Sequence, residues 1–533
     1  MSDFAEKLIK RKNKLAAIRQ KYESNWQECY DYSFPMRNTG FNSLIADIDT
    51  VRNKKAALLD PTATDGSRIL ASSIIGGMTP ANLRWFGLDV HNAQDDGKRW
   101  LDDSATRQWK QIHASNYDSA AFEGFIDSAV VGWFPLYIDE DREKGGLNFE
   151  LWPIAQVYCA ASKSNGIIDI VFREYTLTAE QCVNEFGEEN VSERVKNAVR
   201  SGREDEDVKL IHAIYPRSKN EKVGIRAKNL PFASYHVEID GKKVVRESGY
   251  HEFPVAVPRW MKLPGSVYAT GPMQDVLPFV KSLNEYTDKD MSAADINIAG
   301  MWIAEDDGVL NPRTVKIGPR KIIVANSTDS MKPLMSASNF QLADTRIAQL
   351  QQAIRHMLMA DQLLPQDGPA RTATEVYERV KLIRQLLGPI YGRMQVEYAQ
   401  QVVLRSFGLC YRGGLFAPIP QSLAGQEFRV TYLSPLAKSQ KFEEVTAITN
   451  TLNIAAGLTQ IYPEVMDNFD IDEAIRTISD GNGMPSSLLR AEVDWDDMRE
   501  QRAQAQAEAA QQEQQAALAA QAIPELIKQQ AAA

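Results

Sequence analysis

The sequence predicts a mainly helical α+β protein, long helices broken by one β-rich region. Three observations predict it. Apolar residues recur at three- and four-residue intervals near the start of the chain and again through its second half. Between about Gly146 and Trp260, β-branched and aromatic residues instead alternate or cluster in runs the length of strands. The composition, 44% hydrophobic and 24% charged over 533 residues, is that of a globular chain, long enough for about two to four structural units.

Each element follows from its own signals. In residues 4 to 30, Phe4, Leu8, Leu15, Ile18, Tyr22 and Trp26 stand at helical spacing, with Lys7, Lys10, Arg11, Lys12 and Lys14 between them. The basic run fits nucleic acid or a membrane surface, but a solvated helix face is its commoner meaning. In "LLDPTATDGSRILASSIIGGMTP" (58 to 80), Pro61 and Thr62 mark a helix start and Gly76-Gly77 a stop. The strands lie in "LNFELWPIAQVYCA", "IIDIVFREYTL", "DVKLIHAIYP" and "ASYHVEIDGKKVVRESGY", whose "IDGKK" (239 to 243) carries the Asp-Gly signature of a hairpin. With a helical insertion around 178 to 201, this region reads as a small barrel or curled sheet.

From Gly271 to Gly300 a helix is expected, with Pro272 at its first position, Val276, Val280 and Leu283 on one stripe, and a bend at Pro278. A non-helical insert, 301 to 337, holds "VKIGPRKIIVAN", one or two strands around a Gly-Pro turn. Helix resumes at about Ser338, with Phe340, Ile347, Leu350, Ile354 and Met357 in phase. The stretch "LLPQDGPARTATEV" (363 to 376) interrupts it with two prolines and a glycine, and Thr372 with Glu375 forms a capping box that restarts it. The new helix places Val376, Val380, Ile383, Leu387, Ile390, Met394, Tyr398 and Val402 on one face and runs to about Phe407, on the order of 50 Å. Gly388-Pro389 should kink it. The Ala/Gln-rich end, 491 to 533, favours helix but has no apolar stripe to hold it to a core.

Several chemistries find no support. No phosphate-cradling loop, zinc-protease or nucleophile-elbow motif occurs. The six histidines, at 91, 113, 212, 236, 251 and 356, are scattered singly. The acidic clusters at 138 to 146, 304 to 308 and 493 to 497 fit turns better than a calcium loop. Cys29, Cys159, Cys182 and Cys410 stand too far apart to suggest zinc or a disulfide framework. Neither the charged N-terminus nor the apolar stretch at 129 to 138 suits secretion or a membrane span. We expect an intracellular, non-enzymatic protein with no metal, cofactor or membrane partner. The net charge of −10 argues against a tight clamp on nucleic acid. One segment runs against that balance, because Arg313, Lys316, Arg320, Lys321 and Lys332 oppose only Asp329. It fits either a charged edge strand or a surface for an acidic partner or passing DNA.

The succession of helix, α/β insert, helix, breaker-rich loop and long kinked helix resembles the core of phage portal proteins. Four blocks carry a closer likeness to the head-to-tail connector family of short-tailed, podovirus-like phages. They are "LLDPTATDGSRILASSIIGGMTPANLRWFGLDV", "YDSAAFEGFIDSAVVGWFPLYIDED", "PRWMKLPGSVYATGPMQDVLPFVKSLNE" and "RTATEVYERVKLIRQLLGPIYGRMQVEYAQQVVLRSFGLCYRGGLFAPIP". The similarity extends to about residue 490. It departs at Tyr268-Ala269-Thr270-Gly271-Pro272, where members often carry Gly-Arg before the Gly-Pro, so no role of that arginine is transferred.

The resemblance implies a portal fold assembled as a ring of twelve subunits at one capsid vertex. The wing would take residues 1–270, with its small β-barrel-like region at about 146–260. A stem would follow from helices 271–300 and 338–361, with a clip at 301–337 between them. A tunnel loop at 362–372, the long kinked helix at 373–412, a wing or crown return at 413–490 and a crown helix or tail at 491–533 would complete it. By the same resemblance, Gln366, Asp367, Gly368 and Arg371 face double-stranded DNA in the channel. Thr372 and Glu375 cap that loop. Arg313, Lys316, Arg320 and Lys321 form the clip surface that meets terminase and then the tail adaptor or nozzle proteins. Major capsid and scaffolding proteins would surround the ring, assembled in the host cytoplasm and retained in the virion. A nucleic-acid enzyme and a non-translocating head-tail adaptor or scaffold are the rival readings.

Overall fold

A computed structural model describes residues 2–37, 48–90, 95–141, 143–164, 166–218, 226–299, 301–304, 331–334, 340–363, 388, 390–423, 425, 428–433, 435–459, 462–482, 498–499, 501–502, 504–507, 509 and 511. In chain order the first helices are α1 (Ser2–Asp31), α2 (Ile48–Ala56), α3 (Thr62–Met78), α4 (Asp95–Ala114) and α5 (Tyr117–Val131). Then come α6 (Ala179–Phe186), α7 (Glu193–Arg200), α8 (Pro272–Ala299), α9 (Phe340–Met357) and the short α10 (Ala360–Leu363). A π-helical turn, Gln395–Ala399, leads into the helix Gln400–Arg412, and Pro435–Leu458 and Ile471–Asn482 follow. The strands are β1 (Phe86–Asp89), β2 (Leu136–Glu140), β3 (Leu147–Leu151), β4 (Val157–Ala160), β5 (Ile170–Thr178), β6 (Asp207–Pro216) and β7 (Phe232–Glu238). They continue with β8 (Lys243–Tyr250), β9 (Val255–Ala256), β10 (Met261–Lys262), β11 (Ala269–Thr270), β12 (Met301–Ala304), β13 (Met331–Leu334) and β14 (Arg429–Tyr432). The chain is thus α+β, and it divides into two compact units.

The first unit comprises residues 1–85, 108–415 and 434–436. Its β-rich part is an antiparallel meander, β4-β5-β6-β7-β8, beside a three-stranded sheet ordered β3-β2-β9. Successive strand residues point to opposite faces, so Leu210 and Ile211 of β6 enter different cores. Leu210 packs with Ala179, Cys182 and Phe186 of α6 and Val195 of α7. Ile211 packs with Phe172, Val237 and the α1 residues Ala5 and Leu8. With helices on both faces, Leu210 to Ile214 form one continuous buried run. Each large side chain so buried contributes about 1.5–3 kcal/mol.

The expected hairpin is present, β7 turning into β8 through Asp240-Gly241, and the expected helical insertion is the pair α6 and α7. Thr178 and Gln181 form a capping box on α6, while the Ser192 hydroxyl accepts from the Val195 amide at the start of α7. Of the two expected forms, a small barrel or a curled sheet, the described strands make the sheet, for β4 and β8 are the edges of a linear five-strand order. Closure is not needed to bury the faces when α1 covers one and α6–α7 the other. Two local expectations change. Helix α3 runs through Gly76 and Gly77 and stops at Met78, and Ile18 is half exposed.

The basic run of α1 is divided by what lies beneath it. Lys7, Lys10 and Lys14 are exposed, whereas Lys12 reaches Glu174 at 2.8 Å and Arg11 lies over the Phe172 and Tyr215 rings. A residue outside the predicted cluster matters more. Arg19 is buried and donates through Nη1 to the carbonyls of Ile154, Ala155 and Val157 at 3.1, 2.8 and 2.9 Å, with its Nε on Glu23. These carbonyls lie just before and within the edge strand β4, so the guanidinium substitutes for a missing neighbour. Arg19→Met should lower unfolding stability by about 2–3 kcal/mol, because it leaves buried acceptors unpaired. Urea denaturation measures it, and an unchanged midpoint would show that water replaces the guanidinium.

The second unit comprises residues 86–107, 416–433 and 437–533. Strands β1 and β14 pair antiparallel from Phe86↔Tyr432 to Asp89↔Arg429, and Gly87 leaves room for the Thr431 hydroxyl. The Trp100 indole donates to the Ala417 carbonyl at 2.9 Å, the Ser422 hydroxyl donates to Asp96, and Arg499 forks onto Asp472 at 2.7 and 2.8 Å.

Candidate functional site

Four segments of the first unit meet where α5 ends. Helix α5 stops at Gly132, whose φ of 91° is the left-handed conformation that glycine adopts without a Cβ penalty, and whose amide closes on the Ser128 carbonyl at 2.9 Å. A Cβ there would lie 2.3 Å from the Thr270 carbonyl carbon. Gly271 is equally constrained, since its Cβ would meet the Gly132 nitrogen at 2.6 Å. Helix α8 therefore begins against the end of α5, backbone on backbone.

The third segment is Arg259-Trp260. Trp133 bridges to Arg259 as an isolated β-pair, and the Trp260 amide donates to the Gly132 carbonyl at 2.7 Å. The fourth is the returning helix. The Arg259 guanidinium and the Glu397 carboxylate form a buried ion pair, 2% and 6% exposed, with Nε 3.2 and 3.0 Å from the two carboxylate oxygens and Nη2 closer still. The remaining donors of Arg259 reach the Val267 and Gly166 carbonyls at 3.3 and 3.2 Å. Arg393 adds a bond to the Trp260 carbonyl at 3.0 Å, and the Tyr398 hydroxyl donates to Tyr117 at 2.9 Å. Burial pushes both phenols above their ordinary pKa, so they stay neutral partners.

Further along the same helix Arg405 reaches the Ile138 carbonyl, Asp139 and Glu252 at 3.2, 3.1 and 3.1 Å. Arg412 forks onto Glu252 at 2.7 and 2.8 Å. Burial alone would raise the Glu252 carboxyl, but the hydrogen bonds and charges of Arg412 and Arg405 hold it below its usual range. Gly408 permits this approach, as a Cβ would touch the carboxylate.

Helices α8 and α9 pack on each other and against α3. Asn284 of α8 accepts from the Leu59 amide at 2.7 Å and donates to the Ala57 carbonyl at 3.0 Å. Asp60 accepts the Thr62 amide that starts α3 and, on its other oxygen, Gln351 of α9, both at 2.8 Å. Below this, Leu358 is fully buried against Gly66, and the chain turns into α10 through Met359 at φ 58°, a left-handed conformation that costs a side-chain-bearing residue about 1–2 kcal/mol. His356 meets Asp361 at 3.1 Å across that turn. At the other end of the pair, β12 and β13 join antiparallel from Met301↔Leu334 to Ala304↔Met331.

The predicted DNA-facing residues Gln366, Asp367, Gly368 and Arg371, the cap Thr372 and Glu375, and the basic residues Arg313, Lys316, Arg320 and Lys321 lie outside the described residues. What is described is their frame. Gly132, Arg259 and Glu397 had no sequence signal beyond membership in the quoted blocks, and Gly271 was marked only as the start of a helix. Asp60 was not singled out either, although it immediately precedes the helix start marked by Pro61 and Thr62. All four cysteines are free and buried, and burial pushes Cys29, Cys159 and Cys182 up to about 12, so they are poor nucleophiles. Among the described residues no three His, Cys, Asp or Glu side chains gather as metal ligands, and no helix is long and apolar enough to cross a membrane.

Among the described residues, buried arginines and close glycine crossings tie paired helices into one frame within the first unit. Residues 5–489 match the family described as bacteriophage head to tail connecting protein, and the chain belongs to that family. It is 28% identical over 525 residues to the portal protein of Salmonella phage epsilon15, covering 95% of this chain and 92% of that one. It is 27% identical over 496 residues to a probable portal protein of Bordetella phage BPP-1, covering 90% and 88%. A chain from the neck of an empty GTA particle matches over 71% of this chain and 84% of its own at 13% identity, with a TM-score of 0.34 too low to carry an argument. The function is that of a portal, the head-tail connector through which a phage genome is packaged and ejected.

Proposed function

We propose that copies of this chain close into a ring of twelve at one capsid vertex and that double-stranded DNA passes through its centre. The observation that carries this reading is the apolar surface of the paired helices. Phe279, Tyr286, Met291 and Ile298 of α8 and Leu342 of α9 are exposed in the single chain, Ile298 at 84%. Surface of this kind is covered by a neighbour, and a head-to-tail contact that repeats by rotation closes a ring. A non-translocating adaptor is the weaker alternative, because it gives no reason for a breaker-rich loop between two long helices.

In this reading α8 and α9 are the stem, and the β12–β13 pair begins the clip. Arg313, Lys316, Arg320 and Lys321 meet terminase during packaging and the tail adaptor or nozzle afterwards. Residues 1–270 form the wing beside capsid and scaffolding proteins, and the ring stays in the virion after assembly in the host cytoplasm. Gln366, Asp367, Gly368 and Arg371 face the DNA. A formal charge of −10 per subunit suits a conduit, since each strong phosphate contact would hold DNA instead of letting it slide. The test is Arg371→Glu, which adds a ring of negative charge at the loop. Particles should assemble normally but hold less DNA per head, and full heads would mean that the loop is a passive connection.

A further inference from the structure

Three successive residues, Glu397, Tyr398 and Ala399, are all buried. An α-helix turns about 100° per residue, so it would spread three successive side chains over more than half of its circumference. The π-helical turn Gln395–Ala399 accommodates them by widening the helix locally. At its centre stands the one carboxylate that pairs with Arg259. A buried ion pair is a weak source of stability, because desolvation offsets the attraction, and its best-attested use is to specify one arrangement over another. Here two arrangements of the same helix compete. Were the turn to become α-helical, residues 390–394 would move about 1.5 Å along the axis and about 100° around it relative to the helix Gln400–Arg412. Arg393 would then leave the Trp260 carbonyl, and Glu397 would leave Arg259.

We infer that the Arg259–Glu397 pair is a register lock. It holds the turn in its π form and thereby fixes the azimuth of residues 390–394, through which the chain connects to the residues proposed to face DNA. The lock rests on that reading for its consequence in packaging but not for its geometry. Downstream, Arg405 and Arg412 fix the helix to Asp139 and Glu252, so a change of register is taken up entirely on the upstream side.

The experiment separates register from stability. Arg259→Met with Glu397→Leu replaces both charges by apolar groups of similar size, and it should stay folded, with a lower melting point because the Val267 and Gly166 carbonyls lose a donor, while losing the register. Spin labels on Gly392→Cys and Tyr411→Cys report it, since both positions are exposed and nothing lies within 4 Å of a Cβ at Gly392. In the otherwise wild-type protein the label distance should be single and sharp. In the double variant it should shift or broaden, and assembled heads should lose most of their DNA. Deleting Val396, the exposed residue of the turn, from the double variant is the second arm: an α-helix one residue shorter offsets the register change, so the label distance should return to the wild-type value. Glu397→Asp, which keeps the charge, should retain the wild-type distance. An unchanged distance in the double variant overturns the lock, because the pair is then a packing contact only. A shifted distance with full heads keeps the lock and refutes the proposed DNA-facing role of the connected residues.

Discussion

Gly132→Ala should destabilise the protein by about 2–5 kcal/mol and prevent α8 from seating on α5. The left-handed backbone costs an alanine about 1–2 kcal/mol, and overpacking adds about 1–3 kcal/mol more. At this site the obstacle is backbone, with the Thr270 carbonyl oxygen 2.4 Å and the Gly271 nitrogen 2.6 Å from the new carbon, so no side chain can rotate away. Gly77→Ala is the matched control. Gly77 lies inside α3 with open space around its Cβ, and alanine there should stabilise by about 0.5–1 kcal/mol. Thermal denaturation of the two variants decides the matter. Equal, small changes would mean that the glycine crossing tolerates displacement and that α8 is not anchored there.

Acid should loosen the β-rich part of the first unit well before carboxylates titrate. His212 and His236 stack at 4.0 Å between ring centroids on the face covered by α6 and α7. Ser234 meets His212 and Tyr175 meets His236, both at 2.9 Å. Burial pushes both imidazoles down, His236 to about 3, and Arg173 and Arg246 oppose a further positive charge. The sign follows from the unfolded chain. Below an unfolded value of 6.5 the unfolded histidines take up protons that the folded ones do not, so stability is complete above pH 6.5 and falls with acid. A histidine that stays neutral in the fold loses up to about 1.4 kcal/mol of its contribution per pH unit below 6.5, so the midpoint should fall steadily with acid. Asparagine at both positions should flatten that slope when urea midpoints are followed across the range. A wild-type midpoint that does not move would mean that the imidazoles take up protons in the fold as they do in the unfolded chain.

What was legible in the sequence was what periodicity can report. The helices that became α1, α8 and α9 follow their apolar spacing, and the Asp-Gly hairpin between β7 and β8 follows from turn chemistry. The barrel was not distinguishable from an open sheet, because "LIHAI" in β6 has the same buried run whether a second sheet or two helices cover it. The frame of the site was hidden for a different reason. Arg259 and Glu397 lie 138 residues apart, and Gly132 and Gly271 touch only after α5 and α8 are placed, so their partners belong to tertiary structure. Arg19 lay outside the basic run that the sequence singled out, and its role is visible only with the Ile154, Ala155 and Val157 carbonyls around it. The basic insert was legible from its charge and the loop from its breakers, their roles as clip and DNA-facing loop came from the resemblance, and both lie outside the described residues.

The central claim is that this chain closes into a ring around a channel. Native mass spectrometry of the purified protein at micromolar concentration, with end-on negative-stain images of the same sample, tests it most directly. The account predicts one closed assembly of twelve subunits with a central hole. A monomer or a two-fold dimer as the only species would contradict it.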